Sequence, residues 1–189
     1  MPIALIVVIV VVVLLIAWVA LSYNRLVKKA TRADSDWANI DTQLRRRADL
    51  IPNLVETVKG YASHEEGTLT QVIQARSRAQ QAQQGAGDRG ERQAAEQEVG
   101  QALVNINALT EQYPDLKADQ NFRQLQDELS STEDKIAFSR QRYNDAVCAY
   151  ESTRRRFPAV ILARQFGFDE RDYFDEVTEE QRQAPEVNF

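Results

Sequence analysis

Residues 3–21 read IALIVVIVVVVLLIAWVAL, nineteen consecutive residues without a charge. As an α-helix such a run spans about 28 Å, close to the ~30 Å hydrocarbon core of a bilayer. Val and Ile are poor helix formers in water, but in lipid the backbone must satisfy its own hydrogen bonds and a helix forms regardless. The run opens at Ile3 and closes at Leu21, and the rings of Trp18 and Tyr23 fall near its exit, where amphipathic aromatics settle at the membrane interface. The competing reading is a cleaved leader, for which Ala20-Leu21-Ser22 offers a small-x-small site. Against it, no basic stretch precedes the run, and the run is longer than the apolar segment of a usual leader. The expectation is a retained anchor over residues 1–23.

Arg25, Lys28, Lys29 and Arg32 follow the span before the first acid, Asp34. Cations are retained on the cytoplasmic side, so residues 24–189 are expected there, with a short external amino terminus and a single pass through the cell (inner) membrane. One Cys and one His, in a chain of 189 residues, exclude a disulfide framework, a Cys/His zinc site and a His-based triad. The lone Cys also fits a reducing compartment.

The remainder reads as helix. Gly (7) and Pro (5) are scarce, which disfavours a many-stranded sheet protein. Between 24 and 62, apolar residues recur in steps of three and four: Trp37, Ile40, Leu44, Ala48, Ile51, Val55, Val58 and Ala62. Pro52 interrupts the hydrogen-bond ladder but not the phase, so a kink rather than a break is expected. Ser63-His64-Glu65-Glu66 has the capping-box pattern and predicts a second helix to about Gln84, with Leu69, Val72, Ile73 and Ala79 as its stripe. Residues 85–90 form a glycine-rich loop. No apolar strand precedes it and no Lys-Ser/Thr follows, so a phosphate-binding loop is not supported. A third helix covers about 91–113 and ends at Pro114. A fourth runs from about Asp119 to Phe157, where Phe122, Leu125, Leu129, Thr132, Ile136, Ser139, Tyr143, Ala146 and Tyr150 make a coiled-coil-like seam.

Short connections make neighbouring helices antiparallel. The fold class expected is all-α: a single N-terminal transmembrane helix, then an antiparallel helical bundle (24–168) with long first and last helices. The last helix would return toward the bilayer and bring Arg154-Arg155-Arg156 near it. Residues 157–168 would either cap the open end of the bundle or lie at the membrane interface. Residues 169–189 carry eight acids against two bases. They read as a solvated acidic tail, or as a segment whose interleaved aromatics dock a partner.

No chemistry stands out. His64 reads as an exposed turn residue, Cys148 as packed and inert, and no metal or cofactor is expected. Arg45-Arg46-Arg47, Arg76, Arg78, Arg140 and Arg142 alternate with acids in a chain of net charge −5, so they read as solvated, ion-paired faces rather than a nucleic-acid surface.

Two segments carry a resemblance. One is Tyr23-Asn24-Arg25-Leu26-Val27 with Trp37-x-x-Ile40-Asp41-x-Gln43-Leu44 and the stretch Arg47, Asp49, Leu50, Ile51, Pro52, Asn53, Leu54, Val55. The other is Tyr143-Asn144, Phe157-Pro158, Phe166-Gly167-Phe168 and Tyr173-Phe174. Together they resemble the LemA family. The resemblance implies a bacterial-type membrane protein with a cytoplasmic helical bundle, and it implies no catalytic activity. Leu50, Ile51, Leu54 and Val55 bracket Pro52 and should face partner helices. Asp49 and Asn53, one turn apart, are placed to bridge the backbone that Pro52 weakens, or to form a surface with Glu56. The function expected is that of a non-enzymatic, membrane-anchored scaffold, whose partners are the lipid bilayer and a protein reached through the bundle surface or acidic tail. The alternatives are an accessory subunit of a membrane enzyme such as a quality-control protease, or a homo-oligomer paired through the fourth helix's seam.

Overall fold

A computed structural model describes residues 2–85 and 89–174. Among the described residues there is no strand. Six helices follow in order: α1 (Pro2–Tyr61), α2 (Glu66–Gln84), α3 (Arg89–Gln112), α4 (Pro114–Ala118), α5 (Gln120–Arg154) and α6 (Ala159–Gln165). The chain forms two compact units. One combines the residues up to Ala38 with those from Arg140 onward, and the other is Asn39–Ser139.

The expected span and first bundle helix are one helix, α1, which continues through Pro52. Among the described residues its apolar run has no tertiary partner: Ile3 is 76%, Leu14 63% and Leu21 70% exposed. This is a helix long and apolar enough to cross a membrane.

Asn39–Ser139 is an up-down-up-down arrangement, and the side-chain pairs fix the directions. Arg47–Glu133 and Tyr61–Asp119 set α1 antiparallel to α5. Arg78–Glu98 and Gln83–Glu96 set α2 antiparallel to α3. Arg92 on Asp41 and Arg47 on Glu96 make α1 and α3 parallel. Ile51, Leu54, Val58, Leu69, Val72, Val99, Ile106, Leu109, Leu116, Phe122 and Leu129 fill the core. Each buried Leu, Ile or Phe there contributes about 1.5–3 kcal/mol relative to exposure.

Three local expectations are corrected. The helix after the α1 turn begins at Glu66 rather than Ser63, because the chain first closes a turn in which the Glu65 N–H donates to the Ala62 carbonyl (3.1 Å). Ser63 makes no capping bond, and Glu65 occupies the cap position. Ile73 is 49% exposed, and Ala75 takes the buried place instead. Pro114 does not only end a helix: it opens the single turn α4, after which Asp119 caps α5 by accepting the Phe122 N–H at 2.8 Å. That bond, with a second from the Tyr61 hydroxyl, holds the Asp119 carboxyl below its usual range.

In the other unit α6 lies on α1 just beyond the span. Ala159 and Ala163 bury Leu26, and Tyr23 meets Phe166 and Phe168 edge-on at 5.2 and 5.6 Å. Gly167 (φ 69°) ends α6 in the left-handed conformation, and the Phe168 N–H reaches back to the Ala163 carbonyl at 3.0 Å. Residues 169–174, expected to open a solvated tail, are instead strapped along α5. The Tyr150 hydroxyl donates to the Asp169 carbonyl (2.8 Å) and the Tyr143 hydroxyl to the Asp172 carbonyl (2.9 Å). Asn144 pairs with both backbone groups of Phe174 (2.7 and 2.9 Å). The rest of the acidic segment, 175–189, lies outside the described residues, as do residues 86–88 of the glycine-rich loop.

Candidate functional site

The stretch from Arg47 to Val55 divides by face. Ile51 and Leu54 are fully buried, and Leu50 and Val55 pack against the same core. Asp49, Pro52 and Asn53 are exposed.

Arg47 does not lie on a solvated face. It is 2% exposed and binds two carboxylates, Glu133 at 2.7 Å and Glu96 on a closer ion pair. Its Nη2 also donates to the Glu96 carbonyl at 3.2 Å, and the second Glu96 oxygen accepts the Gln83 amide at 2.8 Å. One guanidinium thus ties α1 to α3 and α5, and Glu96 extends the network to α2. A buried charge is tolerated only when paired and hydrogen-bonded, and this one is.

Pro52 has no N–H, so the carbonyl of Ala48, four residues earlier, loses its helical partner. Asp49 and Asn53 do not repair this. The Nε of Arg76, on α2, donates to the Ala48 carbonyl at 2.7 Å. Asn53 and Glu56 line an open groove of about 430 Å³ with Thr57, Asn121, Gln124 and Glu128, whereas Asp49 opens toward Arg45 and Gln80 in a separate groove. Asp49, Asn53 and Glu56 are all exposed and follow one another at about one-turn intervals along α1.

Beyond the span, Arg25 and Lys28 are exposed and Lys29 is half-buried. Arg32 is not an uncompensated cation: it pairs at 2.8 Å with Asp36, a buried carboxylate that Arg142 also reaches at 3.3 Å. Next to it Trp37 packs edge-on against Tyr143 (5.1 Å) and at a tilt against Phe174 (5.7 Å), and Arg140 lies 4.5 Å from the Phe174 ring centre.

Glu151 organises the end of α5. It is 5% exposed and accepts hydrogen bonds from Arg154 (2.9 Å), Arg155 (3.2 Å) and the Arg171 N–H (3.1 Å). Burial alone would push its carboxyl up, but these donors outweigh burial and hold it below the usual range. Arg154 and Arg155 also meet Glu170, and Arg171 grips Asp34 on α1. Two of the three arginines expected to approach the membrane thus hold the strap. Cys148, expected to be packed, is exposed, because the neighbouring Val147 takes the buried position.

Sequence reading missed Arg47, Arg76, Glu96, Asp36 and Glu151 as structural residues, yet a signal was present. Leu69-Val72-Arg76-Ala79 and Leu44-Arg47-Ile51 step by three and four with a charge in an apolar place.

An exposed apolar helix long enough to cross a membrane, running directly into an all-helical domain with a buried polar network, defines the class: a helical-bundle protein with one candidate membrane-spanning helix among the described residues. Comparison with known proteins assigns it more narrowly. The LemA family profile matches residues 36–189, and the chain belongs to the LemA family. Magnetosome protein MamQ 2 of Paramagnetospirillum magneticum is 26% identical over 183 residues, covering 85% of this chain and 67% of the relative. Magnetosome protein MamQ of Magnetospirillum gryphiswaldense is likewise 26% identical over 183 residues, with the same coverage. Protein LemA of Metamycoplasma hominis is 24% identical over 142 residues, 75% of this chain and 64% of the relative.

Proposed function

We propose that the chain is a non-enzymatic scaffold of the LemA type. α1 anchors it in the cell membrane, and the bundle stands on the cytoplasmic side, where its surface and residues 175–189 meet a protein partner. The observation that carries this reading is the continuity of α1. The same helix that offers lipid its side chains over residues 3–21 supplies Leu26, Trp37, Arg47, Ile51 and Leu54 to the folded units. The anchor and the folded part therefore share one backbone rather than a linker. Arg47 and Glu96 tie helices to one another, Asp36 links α1 to α5 through Arg142, and Glu151 holds the 169–174 strap to α5. Arg25, Lys28 and Lys29 directly after the span favour retention of that side in the cytoplasm.

Cys148 is the only cysteine and it is exposed, which makes it a natural probe of sidedness. In intact cells it should resist a membrane-impermeant maleimide and react after permeabilisation. Reaction in intact cells would overturn the orientation. A photo-crosslinking residue at Glu180 should give a discrete protein adduct in native membranes, and its absence would remove the scaffold reading. A chain truncated after Phe174 keeps the strap on Tyr143, Asn144 and Tyr150 and should lose the partner, whereas a chain ending at Gly167 would lose the strap as well.

A further inference from the structure

In the unit that carries the span, large apolar side chains remain exposed outside residues 3–21, and three of them belong to α6 and its flanks: Phe157 (79%), Ile161 (58%) and Phe166 (55%). Their position along α1 is fixed by contacts. Phe166 meets Tyr23, and Ala159 and Ala163 meet Leu26. Tyr23 and Leu26 lie roughly 3 and 7.5 Å beyond Leu21 along a helix axis. The polar layer of a bilayer leaflet is itself about 5–8 Å deep. At that depth a lateral neighbour of α1 meets lipid headgroups rather than bulk water.

Charge agrees with that depth. Residues 152–168 contain no acid. Arg154 and Arg155 are held by Glu151 and Glu170, but Arg156 and Arg164 are exposed, as are Arg25 and Lys28 on α1. Apolar rings and a branched aliphatic flanked by exposed cations, with one face of small residues committed to α1, make an element that lies in an interface rather than one that caps a soluble core.

We infer that Phe157, Ile161 and Phe166 form a second membrane contact, lying in the headgroup–acyl boundary of the leaflet that α1 leaves, with Arg25, Lys28, Arg156 and Arg164 facing anionic lipid headgroups. The contact is an extension of the anchor, and it rests on the reading of residues 3–21 as a retained span. It fixes the height and rotation of the unit at the bilayer surface, which a single helix crossing does not.

The test uses the full chain in nanodiscs of phosphatidylcholine and phosphatidylglycerol, with Cys148→Ser and one nitroxide at a time at Leu15, Ile161 or Ser131. Collision with oxygen, which concentrates in lipid, is compared with collision with a water-soluble nickel chelate. The label at 161 should favour oxygen, as the label at 15 does, while 131 favours nickel. Phe157→Asp should remove the oxygen preference at 161 and leave 15 unchanged. A nickel preference at 161 beside an oxygen preference at 15 would overturn the second contact and leave the anchor standing. A nickel preference at both would overturn the anchor with it. Shielding of 161 from both reagents would show a protein occupant, such as a second copy, and would equally overturn the inference.

Discussion

The Nε of Arg76 sits 2.7 Å from the carbonyl oxygen of Ala48, the acceptor that Pro52 leaves without its helical donor. A proline in mid-helix normally costs about 3 kcal/mol or more, partly through that orphaned carbonyl. Here the next helix supplies the missing donor, and α1 continues across the site.

The two residues should therefore be coupled. Arg76→Met leaves a carbonyl short of a partner and should cost about 1–3 kcal/mol. In a Pro52→Ala background the residue 52 N–H can take over the Ala48 carbonyl, so the same substitution should cost at least about 1 kcal/mol less. Urea unfolding of the four chains in detergent, followed by helical circular dichroism, measures the difference. Equal costs in both backgrounds would show that the bond is incidental.

Arg47 makes a larger demand. Arg47→Met strands the buried Glu96 carboxylate, and breaking a buried pair from one side costs about 3–5 kcal/mol. Arg47→Met/Glu96→Met removes both charges and should recover a substantial part of that loss. Thermal unfolding of the single and double variants decides it. A single variant as stable as the native chain would mean that Glu96 finds another partner.

The helices and much of the core were legible in the sequence, and the reasons are local. Ile40, Leu44, Ile51 and Val58 recur at intervals of four and seven, and Phe122, Leu129, Ile136, Tyr143 and Tyr150 at intervals of seven, so each set keeps to one helix face. All nine are buried. Charges at stripe positions were passed over, since a stripe is recognised by its apolar members. Arg47 and Arg76 therefore read as surface, although their spacing places them among buried residues. The strap at 169–174 was hidden for a different reason. Its partners are main-chain carbonyls and N–H groups, which every residue possesses, and its acidic composition pointed to solvent. Helix α6 is too short to show a period, and its register became visible only through Leu26 and Tyr23.

Gly167 is the position where a backbone angle alone should be measurable. Its φ of 69° is unfavourable for any residue with a Cβ, yet a Cβ there would touch nothing within 4 Å. Gly167→Ala should therefore cost about 1–2 kcal/mol by conformation alone, without a steric clash. The loss should fall on the contact between Phe168 and Tyr23. Faster hydrogen exchange across 159–168, with the core of Asn39–Ser139 unchanged, is the expected signature. Unchanged exchange would mean that the turn tolerates alanine.

Glu151 gives the strap a pH dependence whose sign follows from its hydrogen bonds. The native carboxyl is held below its ordinary value of 4.5, so the unfolded chain binds this proton more readily than the native one. The group's contribution is complete above that ordinary value and is lost as pH falls through the native one. Protonation should loosen Arg154, Arg155 and the Arg171 N–H together, and residues 169–174 should detach before the core of Asn39–Ser139 unfolds. In a Trp18→Phe chain the remaining Trp37 reports the event, because its ring packs on Tyr143 and on Phe174 at the end of the strap. Its emission should change on acidification before helical circular dichroism is lost. Glu151→Gln should weaken the strap at neutral pH and flatten that early acid limb. The same acid limb in the glutamine variant would assign the transition to another carboxylate.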